Sequence, residues 1–359
     1  MNTLSTISKL IRLCSILIII LWTSGQVFGS KTTWKAYIMG QPNGSTDWNL
    51  ASNWDNGVPT AMDSAIITGG TSNLNVNVLI ISTVEAFHVT IEEHCILSIL
   101  TSGNLLVIDS PVFGIKVDKY AQLINFGMLT SASHVTGIFV HGLLENYGEI
   151  NTNLTINGID FYGDGVGVNK GEIDIRNSTF GLSCSEDAQV TNEPDALIFI
   201  LDCTRGMSTS GSAKFINNAN VILTNLAIGG LYNNGIFINN NNLIIDDVDE
   251  TLNSVGIFNG KDQPSDVGEF VNNLQILMYD IHGIALKLDK STTFLNAGPI
   301  TISDVNGVGL NGIRAITQSS FSITADGSLY LPLTYGTPLD IELGSVFNID
   351  AGGILCIDN

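Results

Sequence analysis

Asp246, Asp247, Asp249 and Glu250 place four carboxylates within five residues. Asp246 ends the apolar run Leu243-Ile244-Ile245, and the other three fall in the turn that follows. Clustered oxygen donors in a turn are what Ca²⁺ takes, so calcium is the one metal expected here. The group lacks the glycine and the terminal bidentate glutamate of an EF-hand loop, and a solvated acidic turn is the preferred reading. Trp34, Trp48 and Trp54 are the second candidate set. Exposed indole faces would stack on pyranose rings and make a carbohydrate platform. Buried, the same rings would seal an apolar surface, each covering about 150–250 Å². Covering is preferred over sugar binding, for the positional reason given below.

Other reactive residues are scattered. His88, His94, His134 and His141 show no metal-ligand spacing as a set, and no Cys-x-x-Cys pair suggests a zinc ribbon. No Gly-x-Ser-x-Gly, P-loop or dinucleotide fingerprint occurs. Asn153-Leu154-Thr155 and Asn177-Ser178-Thr179 match the glycosylation acceptor pattern. No catalytic residue is assigned, and no cofactor is expected beyond that calcium.

The elements that must position these residues are read from internal repetition. One phrase is an aromatic or aliphatic residue, another aliphatic, then Asn, followed by an alternating strand. It gives Leu123-Ile124-Asn125, Leu144-Glu145-Asn146, Gly167-Val168-Asn169, Phe215-Ile216-Asn217, Phe237-Ile238-Asn239, Phe270-Val271-Asn272 and Phe294-Leu295-Asn296. The Asn residues step by 21, 23, 48, 22, 33 and 24, a solenoid period if 48 is a double step and 33 carries a loop. A second phrase pairs Gly with an aliphatic residue at Gly137-Ile138, Gly165-Val166, Gly230-Leu231, Gly256-Ile257, Gly283-Ile284 and Gly312-Ile313. Between them run alternating strands such as Glu172-Ile173-Asp174-Ile175, with one side chain in two aliphatic. The pattern predicts an all-β, right-handed parallel β-helix of two or three short strands per coil. Equivalent Asn residues would stack about 4.8 Å apart and link their amides. A β-sandwich with regular turns is the competing fold, and it has no reason to repeat one phrase. Cys184 and Cys203 lie about one coil apart, so they are a disulfide candidate; buried free thiols are the alternative.

The first residues read as a leader. Lys9 and Arg12 precede an apolar run from Leu13 to Trp22, and cleavage is expected after Gly29. The expected organisation is a signal peptide over 1–29, a Trp-rich cap over 30–75 and the β-helix over 76–359. No membrane span is expected after cleavage. The chain carries 14 Lys+Arg against 34 Asp+Glu, and such an acidic surface repels nucleic acid and anionic membranes.

Residues Thr33-Trp34, Ser45-Thr46-Asp47-Trp48, Asn53-Trp54, Gly57-Val58-Pro59-Thr60 and Asp63 together resemble the amino-terminal signature of large secreted β-helix proteins of Bacteroidetes-type bacteria. Phrases such as Phe215-Ile216-Asn217-Asn218 resemble the Asn-rich rungs of the same proteins, which have the pectin-lyase-like right-handed β-helix. The resemblance implies secretion or cell-surface display, with glycans or cell-surface components as partners. It also brings polysaccharide cleavage into view. Elimination from uronates would need bound cations and an Arg or Lys base. Arg176, Arg205 and Arg314 each stand alone, and His282-Gly283 is followed by no Arg-x-Lys segment. Hydrolysis would need two carboxylates at a set gap, and many Asp pairs in this composition offer one by chance. The expected function is therefore an exported, non-enzymatic surface or matrix β-helix, adhesive or structural. A polysaccharide lyase or glycoside hydrolase acting on acidic glycans is the alternative.

Position favours the cap for the tryptophans. A solenoid exposes an apolar cross-section at its end, and the Trp segment stands where that end begins.

Overall fold

A computed structural model describes residues 30–35, 46–69, 76–249, 254–289, 292–303, 313–315, 319–331, 339–341 and 345–357. The expected leader, 1–29, lies outside them. The alternating runs form strands of mostly four or five residues, each followed by a bend after which the chain starts a new face. Three faces result. Face 1 is a 12-stranded sheet that starts at Val76–Ile80 and ends at Val346–Ile349. Faces 2 and 3 share a 23-stranded sheet. They merge because Leu197–Thr209 and Asn220–Asn233 run unbroken round the corner between them. Face 2 starts at Thr83–Ala86 and face 3 at Lys31–Thr33.

Every ladder between named strands is parallel; Trp34 and Trp54 form an isolated antiparallel bridge. The chain is thus a right-handed parallel β-solenoid of about 11 coils, not a sandwich. At about 4.8 Å per coil its axis is on the order of 50 Å long.

The Asn phrase specifies face 1. In Gln189–Asn192 the exposure alternates, with Val190 and Asn192 turned inward. Asn192 is the rung hidden in the double step of 48. Asn125, Asn146, Asn169, Asn192, Asn217, Asn239, Asn272 and Asn296 stack in register, each at most 2% exposed. Each Nδ2 donates to the Oδ1 of the next coil at 2.7–2.9 Å. The second amide proton goes to a main-chain carbonyl, as from Asn217 to Asn242 at 3.1 Å. Both ends are closed: Asn125 Oδ1 accepts from Gly127 N at 3.2 Å, and Asn296 Nδ2 donates to Ser328 O at 3.0 Å. The column stops where the register meets Ile99 on one side and Ile323 on the other.

Two residues before each Asn, on the same inner side, the apolar column becomes aromatic. Phe215, Phe237, Phe270, Phe294, Phe321 and Phe347 stack with centroids 4.4–5.2 Å apart and planes within 23°. Where the column reads Gly167, the ring of Phe161 fills the space a Cβ would need.

The Gly phrase proves to be two patterns. The true column on face 3 is Gly114, Gly137, Gly158, Gly181, Gly206, Gly230 and Gly256, each followed by an inward apolar residue. Gly165 and Gly283 instead stand just before Val166 and Ile284, which open strands on faces 1 and 3, so they belong to turns. A Cβ at Gly158 or Gly230 would sit 2.6 Å from the carbonyl oxygen of the next glycine. The column therefore excludes side chains for steric reasons.

At the amino-terminal end, Lys31–Thr33 pairs with Ser64–Ile67, which pairs with His88–Ile91, so face 3 begins before residue 76. Asp47 bridges Leu79, which adds a rung to face 1. Trp48, one residue on, is fully buried. Trp54 packs edge-on against Trp48 at 4.8 Å and Trp34 at 5.0 Å, and its Nε1 donates to Trp48 O at 2.7 Å. This aromatic cap closes the core.

Replacing Asn217 by Ala would orphan the Asn192 amide, the Asn239 carbonyl and Asn242 O together. At about 1–3 kcal/mol for each buried unpaired group, a loss of at least ~3 kcal/mol is expected by urea unfolding. The exposed Asn240→Ala, which breaks only surface bonds to Asn218 and Asn273, should cost less than ~1 kcal/mol.

Candidate functional site

The residues singled out above reach different places. Trp34, Trp48 and Trp54 are 4%, 0% and 1% exposed, which leaves no indole face for a sugar ring. Their platform role loses its geometric basis.

Asp246 ends face 2 opposite Thr224 and Tyr279 of the adjacent coils. Asp247 stands at the corner between faces 2 and 3 with φ of 53°. The same left-handed corner recurs at Asn177, Asp202, Asn225 and Asp280, with φ of 50°, 56°, 51° and 47°. Short Asn and Asp side chains tolerate that conformation and bond locally. Asn225 Nδ2 donates to Asp202, and Asn177 Nδ2 donates to Asn153 Oδ1 at 2.9 Å. Asp247 thus has a conformational reason to be acidic. Partial burial raises the Asp246 pKa, and Asp247 and Asp280 add like-charge repulsion. Asp249 is exposed beyond them, and Glu250 lies outside the described residues. Among the described residues no three His, Cys, Asp or Glu side chains gather to hold a metal ion.

The proposed Cys184–Cys203 bridge is corrected. Both thiols are free and buried. The register sets Cys184 against Thr209 of the next coil, six residues past Cys203, or about 20 Å along the strand. Burial pushes the Cys203 thiol up to about 11 and that of Cys184 higher still.

The basic residues are engaged locally. Arg176 forks onto Asp174 at 2.7–3.0 Å. Arg205 lies against the Phe180 ring at 5.6 Å and the Tyr232 ring at 4.4 Å. The side chain of Arg314 lies outside the described residues. His282 Nε2 approaches Asp280 Oδ1 at 3.2 Å.

What the residues do bring together is an aromatic strip on the outer side of face 3. Two residues after each glycine of the inner column, the side chain points outward. One row reads Lys116, Phe139, Asp160, Ser183, Ser208, Tyr232, Phe258 and Lys287, coil by coil. Phe139 lies 5.2 Å from Phe113 and 6.0 Å from Tyr162, measured between ring centroids. Further along, Tyr232 and Phe258 lie 5.6 Å apart, and Lys287 sits over the Phe258 ring at 5.4 Å.

Asp160 interrupts this row. Burial alone pushes its carboxyl up to about 6, and no hydrogen bond holds it. Tyr162 is 41% exposed, and the nearby Glu186 carboxylate raises its pKa. Apolar rings beside two carboxyl groups, one desolvated, can hold a polyhydroxylated or apolar ligand and present hydrogen-bond acceptors to it. The strip escaped the sequence reading because its residues vary. Its only signal is position, two residues after a column whose glycines had been mixed with turn glycines.

Two outcomes follow. Because ionised Asp160 is disfavoured in the fold, its effect on stability is adverse above pH 6 and fades as pH falls from about 6 to 3.8. Asp160→Asn should therefore raise Tm at pH 8 and leave it unchanged near pH 4. Alkylation followed by mass analysis should modify Cys184 and Cys203 only after unfolding, and a reductant should leave Tm unchanged. Compared with known proteins, the chain matches no family model, no curated protein and no solved structure.

Proposed function

We propose that the protein is an exported, non-enzymatic component of the cell surface or extracellular matrix, a rigid acidic rod that adheres to glycans or other surface components. The observation that carries this is the outer strip of face 3. It sets Phe139 beside Phe113 and the exposed Tyr162, 5.2 and 6.0 Å away, on a shaft whose interior is held by the Asn and Phe columns, so these rings are placed before any partner arrives. The basic-then-apolar leader and the resemblance to secreted pectin-lyase-like β-helix proteins of Bacteroidetes-type bacteria support export. The net charge of −20 disfavours nucleic acid as a partner. No helix among the described residues is long and apolar enough to cross a membrane.

One observation favours a second reading, cleavage of a glycan. A carboxyl raised to about 6 is suited to general-acid work, and Asp160 has that value beside Tyr162 and Glu186. Fold alone adds little to it.

Fractionation of cells expressing the full chain should recover it from envelope or medium with residue 30 at its amino terminus. Incubation with pectin and alginate, with and without Ca²⁺, should release neither reducing ends nor unsaturated products. Confinement to the cytosol would defeat export. Product release abolished by Asp160→Asn would establish the second reading instead.

A further inference from the structure

We infer that Phe139, Asp160, Tyr162 and Glu186 form a binding site for a neutral glycan, distinct from any site for acidic polysaccharides. The proposal rests on the adhesive reading above and names the ligand class. Phe139 and Asp160 are direct partners across adjacent coils, and Tyr162 follows Asp160 by two residues. The Phe139 and Tyr162 rings lie 30° from coplanar with centroids 6.0 Å apart, close enough to share one ligand. The C–H face of a pyranose carries slight positive charge and packs on the negative face of an aromatic ring. A neutral sugar also brings hydroxyl donors. Asp160, which accepts no hydrogen bond within the protein, is the group that lacks them. Glu186, near enough to raise the Tyr162 pKa, adds a second carboxylate acceptor.

Charge selects within the glycans. A uronate would bring its carboxylate up to Asp160 and Glu186. The nearest lysines cannot offset that: Lys116 pairs with Asp118 at 2.6 Å, and Lys119 with Asp164 at 2.5 Å. Arg205 is committed to the rings of Phe180 and Tyr232 two coils away. With the lysines paired and only the His141 ring edge-on to Tyr162 at 6.0 Å as a further basic group, the two carboxylates disfavour the anionic ligand. The same argument disfavours a second copy of this chain, which carries a net charge of −20.

Affinity electrophoresis of the full chain tests this in gels containing laminarin, galactomannan or polygalacturonate. At least one neutral polymer should retard the protein, and polygalacturonate should not. Tyr162→Ala should weaken retention about tenfold or more, and Asp160→Asn several-fold. Both should keep the circular dichroism of the wild type, since Tyr162 is exposed and Asp160→Asn preserves shape. Equal retention of wild type and Tyr162→Ala, preference for polygalacturonate, or no retention by either neutral polymer would overturn the site. So would a mass in sedimentation that falls on Tyr162→Ala, which would make this face a contact between copies. A surface-located protein that fails these tests would lose the site and keep the adhesive reading. A cytosolic protein would lose the reading whatever the gels show.

Discussion

An amide buried in an apolar interior must have its donors and acceptor met there, and in this column they are met by the same amide one coil away together with a main-chain carbonyl. That requirement ties each coil to the next in one register. Asn192 satisfies Asn217 only if Val190 lies over Phe215, because the two inward positions are two residues apart on one short strand. A slip of one residue would turn the amides out and the polar residues in. The Phe column adds dispersion and hydrophobic burial, but flat rings tolerate sliding, and amides with two fixed partners do not. The amide column therefore supplies the register, and the apolar columns supply most of the driving force.

With the interior fixed, the outside is free to vary. The face 2–face 3 corner needs a left-handed residue in most coils and takes Asp or Asn for it at Asp109, Asn177, Asp202, Asn225, Asp247 and Asp280, with Ser133 and Leu154 in two others, which puts several acids on the surface for conformational reasons. Face 3 carries its ligand-facing candidates between a column of glycines and the solvent. Those glycines leave no room for a Cβ against the next coil, and the ladder spacing sets that of the outward side chains. The Trp cap and the loop held by Asp266, whose carboxylate accepts from Gly211, Asp262 and Gln263 main-chain N–H groups, interrupt the repeat without breaking the register.

Much of this was legible in the order of residues. The Asn phrase was, because a buried amide admits no substitute and so recurs unchanged. The clustering of Trp34, Trp48 and Trp54 was legible as a covering, but not that Lys31–Thr33 already forms a rung of face 3 before them. The glycine column was half legible: Gly165 and Gly283 look the same in sequence as Gly137, and only pairing shows that they are turn residues. The Cys184–Cys203 spacing resembles one coil, yet the coil there is 25 residues, as Cys184 against Thr209 shows. The candidate site was not legible. The neighbours of Asp160 are Phe139 and Ser183, 21 and 23 residues away, and its desolvation comes from packing that no local pattern records.

Hydrogen exchange of side-chain amides, followed by ¹⁵N NMR, tests the register most directly. The Nδ2 protons from Asn125 to Asn296 should exchange as slowly as the main-chain amides of the core strands, while those of exposed Asn240 exchange orders of magnitude faster. Equal, fast exchange in both groups would contradict the stacked column and the fold built on it.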